Sequence, residues 1–446
     1  MTAVNLTKVP EYLRQQRWFG GKAWPIKSVS VVDHASVDIP GRAFLIAIVE
    51  VLYELGHPER YQLPVEPAGA DTDEVKDALE DDDCLRALFQ IVRDQRTLPS
   101  GSGRIVGEWL AFPDALPPLP DPITVRRLNV EQSNTSVVFA ERVILKVLRK
   151  LEAGINPEYE VGRFLATKTK FRATPTLIGA LQLDGPAGAT LSVVHQFVPN
   201  AEDGWKYTLD VFKRHGAPPA AFLAEMRDLG TRLGELHSAL ASDPNDPAFA
   251  PEEIHHEDLD RWSASIIGEL GVTLADASKQ FPELEKKRDA LVEVAKGLAR
   301  TRPGGQKIRV HGDLHLGQTL RSKGEWLIFD FEGEPSRSFA QRREKYSPLK
   351  DVAGMLRSFD YAAASVELQG GEPADRVTPA RQAFLEGYRK ATRGAKFLPE
   401  RDEDFMTRLA AFELEKLLYE VRYELQNRPD WVRIPVRALL RMEVPK

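Results

Sequence analysis

A chain of 446 residues has room for about two to three domains with cores of their own, and its 42% hydrophobic and 28% charged residues are those of an ordinary globular protein. A formal net charge of −6, with no basic stripe interleaved with aromatics, sets aside nucleic acid and anionic lipid as partners. One cysteine, Cys84, cannot form an internal disulfide, and no apolar run approaches the roughly 20 residues of a membrane span, so a cytoplasmic chain is expected.

The first stretch carries Tyr12-Leu-Arg-Gln-Gln-Arg-Trp-Phe-Gly-Gly-Lys22, then strand patterns at Val29–Val32 and Phe44–Tyr53. Pro64–Asp71 reads as a loop, and Leu79, Leu85, Leu88 and Ile91 space a helix from Asp73 to about Arg96. A boundary is expected near Leu98–Gly103 and a proline-rich turn at Pro113–Pro122. Strands follow at Thr124–Val130, Ser136–Phe139 and Val143–Leu148, a helix from Pro157 to Thr169, and a strand near Leu191–Phe197. From residue 200 the pattern is mostly helical, interrupted by short strands at Ile308–Val310 and Trp326–Phe331. The order is an α+β cap subdomain (1–97), a β-rich portion (98–200) and a mostly helical portion (201–446).

Residues 308–334 concentrate the chemistry. A short apolar strand delivers His311-Gly-Asp313 into a loop, and a hairpin turning at Ser322–Glu325 returns the chain along Trp326–Phe331. That hairpin brings Asp313, Gln318 and Asp330 together. Phosphoryl transfer needs a carboxylate to orient the attacking hydroxyl and accept its proton, and oxygen ligands to hold Mg2+ against a triphosphate. Asp313 suits the first role; Gln318 and Asp330 suit the second, with Glu332 as a further ligand. The bland alternative is a polar turn in which both aspartates cap backbone amides.

These residues resemble the kinase signature His-x-Asp-x-x-x-x-Asn followed by Asp-Phe-Gly, in the form used by small-molecule kinases of the aminoglycoside-phosphotransferase type. Gln318 replaces the usual Asn, and Glu332 the usual Gly. The resemblance implies an α+β, bilobal protein-kinase-like fold, ATP as cofactor with Mg2+, and a strand lysine paired with a helix carboxylate. Lys146, in Val143–Leu148, suits the phosphate contact. Glu160 is the expected partner and Glu158 the alternative, on a helix begun by Asn156 and Pro157. Ser133, Asn134 and Thr135, within the polar stretch Glu131–Ser136, are expected to cover phosphates. His195–Pro199 reads as the hinge, with backbone groups at Gln196 and Val198 meeting adenine.

Across nearly the whole chain the sequence is similar to bacterial maltokinases. Five stretches carry the likeness: Gln16–Lys22, Asn200–Trp205, His311–Glu334, Ser347–Tyr361 and Glu415–Trp431. The similarity implies phosphorylation of maltose to maltose 1-phosphate and a supply of maltose from trehalose to α-glucan (glycogen) synthesis. It also implies trehalose synthase as a possible partner.

On the helix from Ser347-Pro348, Asp351 is placed to tie the helix to the catalytic loop, and Asp360 and Tyr361 to face the sugar. On the C-terminal helix, Glu415, Tyr419 and Tyr423 make one stripe, with Lys416, Glu420 and Glu424 beside it. Flat rings for C–H faces and charges for hydroxyls are what a sugar site needs, so Lys416, Tyr419, Glu420 and Tyr423 are expected there, with His315 hydrogen-bonding the sugar. His237 reads as a packed helix residue, and Arg337 as part of a basic loop after the metal segment. A kinase for glucosamine or an aminoglycoside is the alternative within enzymes; a catalytically silent kinase-like interaction module is the alternative outside them.

Overall fold

The structure, a computed structural model, describes residues 6–67, 75–110, 119–120, 122–128, 133–186, 188–372 and 374–444. Asp73, Asp71, Glu131 and most of the Pro113–Pro122 turn fall outside them. Two compact units divide the chain, one formed by 1–166 with 175–199 and the other by 167–174 with 200–446.

In chain order the first unit contains α1 (Val9–Gln15), β1 (Ile26–Ile39), β2 (Arg42–Tyr53), β3 (Glu59–Val65), α2 (Asp82–Arg93), β4 (Thr97–Pro99), β5 (Arg104–Trp109), β6 (Val125–Leu128), β7 (Asn134–Phe139), β8 (Val143–Leu148), β9 (Lys150–Leu151), α3 (Pro157–Lys168), β10 (Leu177–Asp184) and β11 (Ala189–Gln196). Strands in the order β1-β2-β3-β9 form one antiparallel sheet; those in the order β4-β5-β10-β11-β8-β7-β6 form another. The near-continuous apolar run of β2 serves two cores because successive side chains point to opposite faces. Phe44, Ile46 and Ile48 join the core around α2, while Leu45, Ala47, Val49 and Val51 join Val9, Leu13 and Phe19.

The expected long helix from Asp73 is shorter. Asp77 accepts from Leu79 N at 3.0 Å and closes a single 3-10 turn; Asp81 then accepts from Asp83 N and Cys84 N and starts α2 at Asp82. Leu98–Gly103, expected as a boundary, is the β4–β5 hairpin. At Gly107 in β5 an added Cβ would lie 2.0 Å from the Ile91 carbonyl, so only glycine lets α2 lie this close to the sheet.

The second unit contains β12 (Glu202–Asp203), α4 (Gly204–Arg214), α5 (Ala220–Leu240), β13 (Glu252–Glu253), α6 (His256–Ala277), α7 (Arg288–Arg300), β14 (Gln306–Lys307), β15 (Thr319–Ser322), β16 (Glu325–Ile328), α8 (Phe339–Arg342), α9 (Leu349–Leu368), α10 (Val377–Ala391), α11 (Asp402–Asn427) and α12 (Arg433–Arg441). The strand expected at Ile308–Val310 is instead β14, two residue pairs on β13, and Ile308 adds only a bridge to Tyr346. Among the described residues no helix is long and apolar enough to cross a membrane.

Candidate active site

The loop from His311 to Gln318 is held by α9. Asp351, in the first turn of that helix, accepts from His311 N at 2.7 Å and from Gly312 N at 2.9 Å. Its Oδ2 also meets His237 Nε2 at 3.1 Å, and His237 Nδ1 lies 3.0 Å from the Tyr388 hydroxyl. Burial would raise the pKa of Asp351, but the His237 bond and the other donors outweigh it and hold the group below the ordinary range. One turn on, a Cβ at Gly354 would lie 2.5 Å from Leu314 O, so glycine permits the helix to touch the loop. Ser358 Oγ accepts from Leu316 N at 3.0 Å. Positions 351, 354 and 358 fall on one face of α9 and grip four residues of the loop. Sequence reasoning found Asp351 but passed over Gly354, Ser358 and the role of His237; the i, i+3, i+7 spacing was the available signal.

The β15–β16 hairpin turns at Lys323 and Gly324, both with positive φ. Beyond the strands, Phe329 N still donates to Gln318 O at 3.1 Å. His311 Nε2 donates to Phe329 O at 2.9 Å, which leaves Nδ1 to accept from Asp313 N. Gln318 and Asp330 therefore flank one backbone pair, tied by the same histidine to the Asp313 loop. Asp330 has φ +67°, a left-handed conformation that costs a non-glycine residue energy and is held by these bonds. Carboxylate oxygens of Asp330 and Glu332 lie within 4.8 Å of each other, oxygen donors of the kind a hard divalent cation takes.

Asp313 lines a cleft of about 750 Å³. Its Oδ1 accepts from Lys416 Nζ of α11 at 2.8 Å. Burial pushes the Asp313 carboxyl up, but the charge and hydrogen bond of Lys416 lead the interactions that bring it below its ordinary value. Lys416 also lies over the Tyr419 ring at 4.6 Å, and the Tyr419 and Tyr423 rings stack at 6.1 Å. Beside Lys416 on α11, Glu415 Oε1 accepts from Lys350 at 2.7 Å and from Arg337 at 3.2 Å. Lys416, Tyr419 and Tyr423 thus line the cleft with Asp313.

Four other expected sugar contacts do not line it. Arg357 on α9 is 2% exposed in its side chain and draws in Asp360 at 2.5 Å and Glu420 at 2.9 Å; Arg381 adds a second bond to Asp360. A buried guanidinium needs these counter-charges, which takes Asp360 and Glu420 out of the cleft wall. Tyr361 donates to Glu424 at 2.6 Å and stacks on Trp431. His315 Nδ1 accepts from Gly317 N and caps the turn Leu316–Gln318; burial lowers its pKa to about 4, so the ring is neutral near pH 7.

In the first unit, Lys146 on β8 donates to Glu158 Oε2 at 3.0 Å, which corrects the expected partner Glu160. Asn156 Oδ1 accepts from Glu158 N at 2.8 Å, and this cap sets which first-turn acid turns toward the sheet; Glu158 is buried. Asn134 and Thr135 are engaged by Arg149, whose Nε donates to Thr135 Oγ1 at 2.9 Å and whose N–H points at Asn134 Oδ1. Ser133 hydroxyl lies within 3.4 Å of the Asn134 amide. The N–H of Gln196 donates to Thr176 O at 2.9 Å and that of Phe197 to Arg142 O, so neither is a donor for a base. Val198 lies just beyond.

The strand lysine with its buried glutamate, the loop and hairpin of the second unit and the preceding α+β cap define the class: an α+β kinase-like fold of the aminoglycoside-phosphotransferase type with an N-terminal cap. Residues 12–80 match the family described as Maltokinase N-terminal cap domain. The chain is 29% identical to Glucosamine kinase of Streptacidiphilus jiangxiensis over 336 residues, 71% of this chain and 73% of that one. It is 28% identical to Glucosamine kinase of Mycolicibacterium smegmatis (strain ATCC 700084 / mc(2)155) over 326 residues, 70% and 78% of the two chains. A solved glucosamine kinase, crystal form B, superposes with a TM-score of 0.73 at 23% identity over 94% of each chain. Another, in complex with glucosamine, ADP and inorganic phosphate, gives 0.70 at 23% identity over 95% of each. At that identity the likeness is one of fold.

Proposed function

We propose that this chain is an ATP- and Mg2+-dependent sugar kinase that phosphorylates maltose at its anomeric hydroxyl to give maltose 1-phosphate. The observation that carries the reading is Asp313: a half-buried carboxylate, kept ionised, on a loop fixed by Asp351, lining a cleft with both stacked tyrosines and paired charges. Asp313 takes the role of base. Lys146, backed by Glu158, takes the α- and β-phosphates of ATP, Ser133, Asn134 and Thr135 cover them, and backbone groups near Val198 meet adenine. Gln318 and Asp330, with Glu332, hold Mg2+, which when bound neutralises charge on the phosphates. The cap-domain match supports maltose; with maltose as substrate, the proposal extends to the supply of α-glucan (glycogen) synthesis from trehalose, in the cytoplasm, with trehalose synthase as a partner.

Glucosamine is the second reading, favoured by the relatives named above. Charge balance in the cleft tells against it. The lining has four acids (Glu269, Asp313, Glu334, Glu415) and four cations (Arg337, Lys350, Lys416, Arg422), so no surplus carboxylate awaits an ammonium group. ADP release measured with ATP, Mg2+ and a panel of maltose, glucose, glucosamine and an aminoglycoside separates these. Maltose is expected to give a kcat/KM at least about tenfold above glucosamine, a difference of ~1.4 kcal/mol. The reverse order assigns glucosamine as substrate, and no turnover with any sugar favours the silent module.

A further inference from the structure

Lys416 on α11 and Asp313, 103 positions earlier, are joined by an ammonium–carboxylate bond of 2.8 Å. The bond occupies Oδ1 alone; among the described residues Oδ2 accepts no hydrogen bond, although Asp313 lines the cleft. A carboxylate anchored through one oxygen loses its free rotation, and its other oxygen is presented to whatever fills the cleft. Lys416 is itself fixed: its ammonium rests on the Tyr419 ring, with the Glu334 charge near enough to favour the cation. The loop segment Asp313-Leu-His-Leu-Gly-Gln318 contains no cation that could do this locally, since His315 is neutral and caps a turn.

We propose that Lys416 is a positioning residue for phosphoryl transfer rather than a contact for sugar hydroxyls alone. It grips one oxygen of Asp313 so that the other faces the acceptor hydroxyl. It also stays beside the attacking oxygen, where it offsets negative charge as the proton leaves. This rests on the kinase reading above. In the step itself the acceptor O–H gives its proton to Asp313 Oδ2 and the acceptor oxygen bonds the γ-phosphorus of ATP. The bond from that phosphorus to the β–γ bridging oxygen breaks, releasing ADP.

The test measures kcat and KM for the sugar in wild type, Lys416→Met and Lys416→Arg, with thermal midpoint and KM for ATP as checks on folding. Lys416→Met is expected to lower kcat by roughly 10²-fold, the scale of losing one preorganised charge. KM for the sugar should stay within about threefold and Lys416→Arg should recover about tenfold of the loss. A raised sugar KM with kcat retained overturns the proposal and leaves Lys416 as a sugar contact. Should Lys416→Met not fold, Lys416→Gln is read by the same split. Failure of the underlying kinase reading shows itself separately, as absence of sugar-dependent ADP release by the wild type.

Discussion

Asp313→Ala is expected to lower kcat by roughly 10²–10⁴-fold, the usual contribution of a positioned general base, while the protein stays folded and keeps its affinity for nucleotide. The side chain is held by Lys416 and lies at the surface of the cleft rather than in an apolar core, so its removal costs little packing. Nucleotide affinity is expected to persist because Lys146 and Glu158 belong to the other unit. Steady-state turnover beside an equilibrium ADP titration checks both halves. Near wild-type turnover removes Asp313 from the chemistry.

Asp351→Ala is expected to damage stability and activity together. It leaves the N–H groups of His311 and Gly312 and the His237 ring without their shared acceptor in a fully buried place. Leaving a buried donor unsatisfied costs about 1–3 kcal/mol each, and the loop that carries Asp313 loses its anchor. Denaturant midpoints with kcat on the same samples report the two effects. The pH dependence has a definite sign. A carboxyl whose folded pKa is depressed contributes stability above its unfolded value of about 4 and loses it as pH falls through the lower folded value. Wild type is therefore expected to lose stability more steeply than Asp351→Ala below about pH 4.

The site was legible where its order is local. Gln318, the Ser322–Glu325 turn and Asp330 sit on one hairpin, and a hairpin is written in turn residues and alternation. Tyr419 and Tyr423 were legible as neighbours because four residues is one helical turn. What was not legible depends on distant partners. Glu158 and Glu160 both occupy the first turn of α3, and only the placement of that helix against β8 decides which meets Lys146. Asp360 and Glu420 had the right chemistry for a sugar, but the buried Arg357 draws both inward, and the half-buried Arg381 adds a second hold on Asp360. The strands β3 and β10 went unread: one contains Pro64 and the other Gly179, residues that read as turn signals yet here lie within paired strands. The helix from Asp73 was overextended because apolar spacing continues through Leu79, while Asp77 and Asp81 each cap a separate turn.

The most direct measurement is the position of the phosphoryl group in the product made from maltose and ATP with Mg2+. Proton–phosphorus correlation by NMR is expected to couple the phosphorus to the anomeric proton of the reducing glucose, in amounts matched by ADP. Coupling to any other sugar proton, or no phosphorylated maltose from a folded protein that binds ATP, contradicts the assignment.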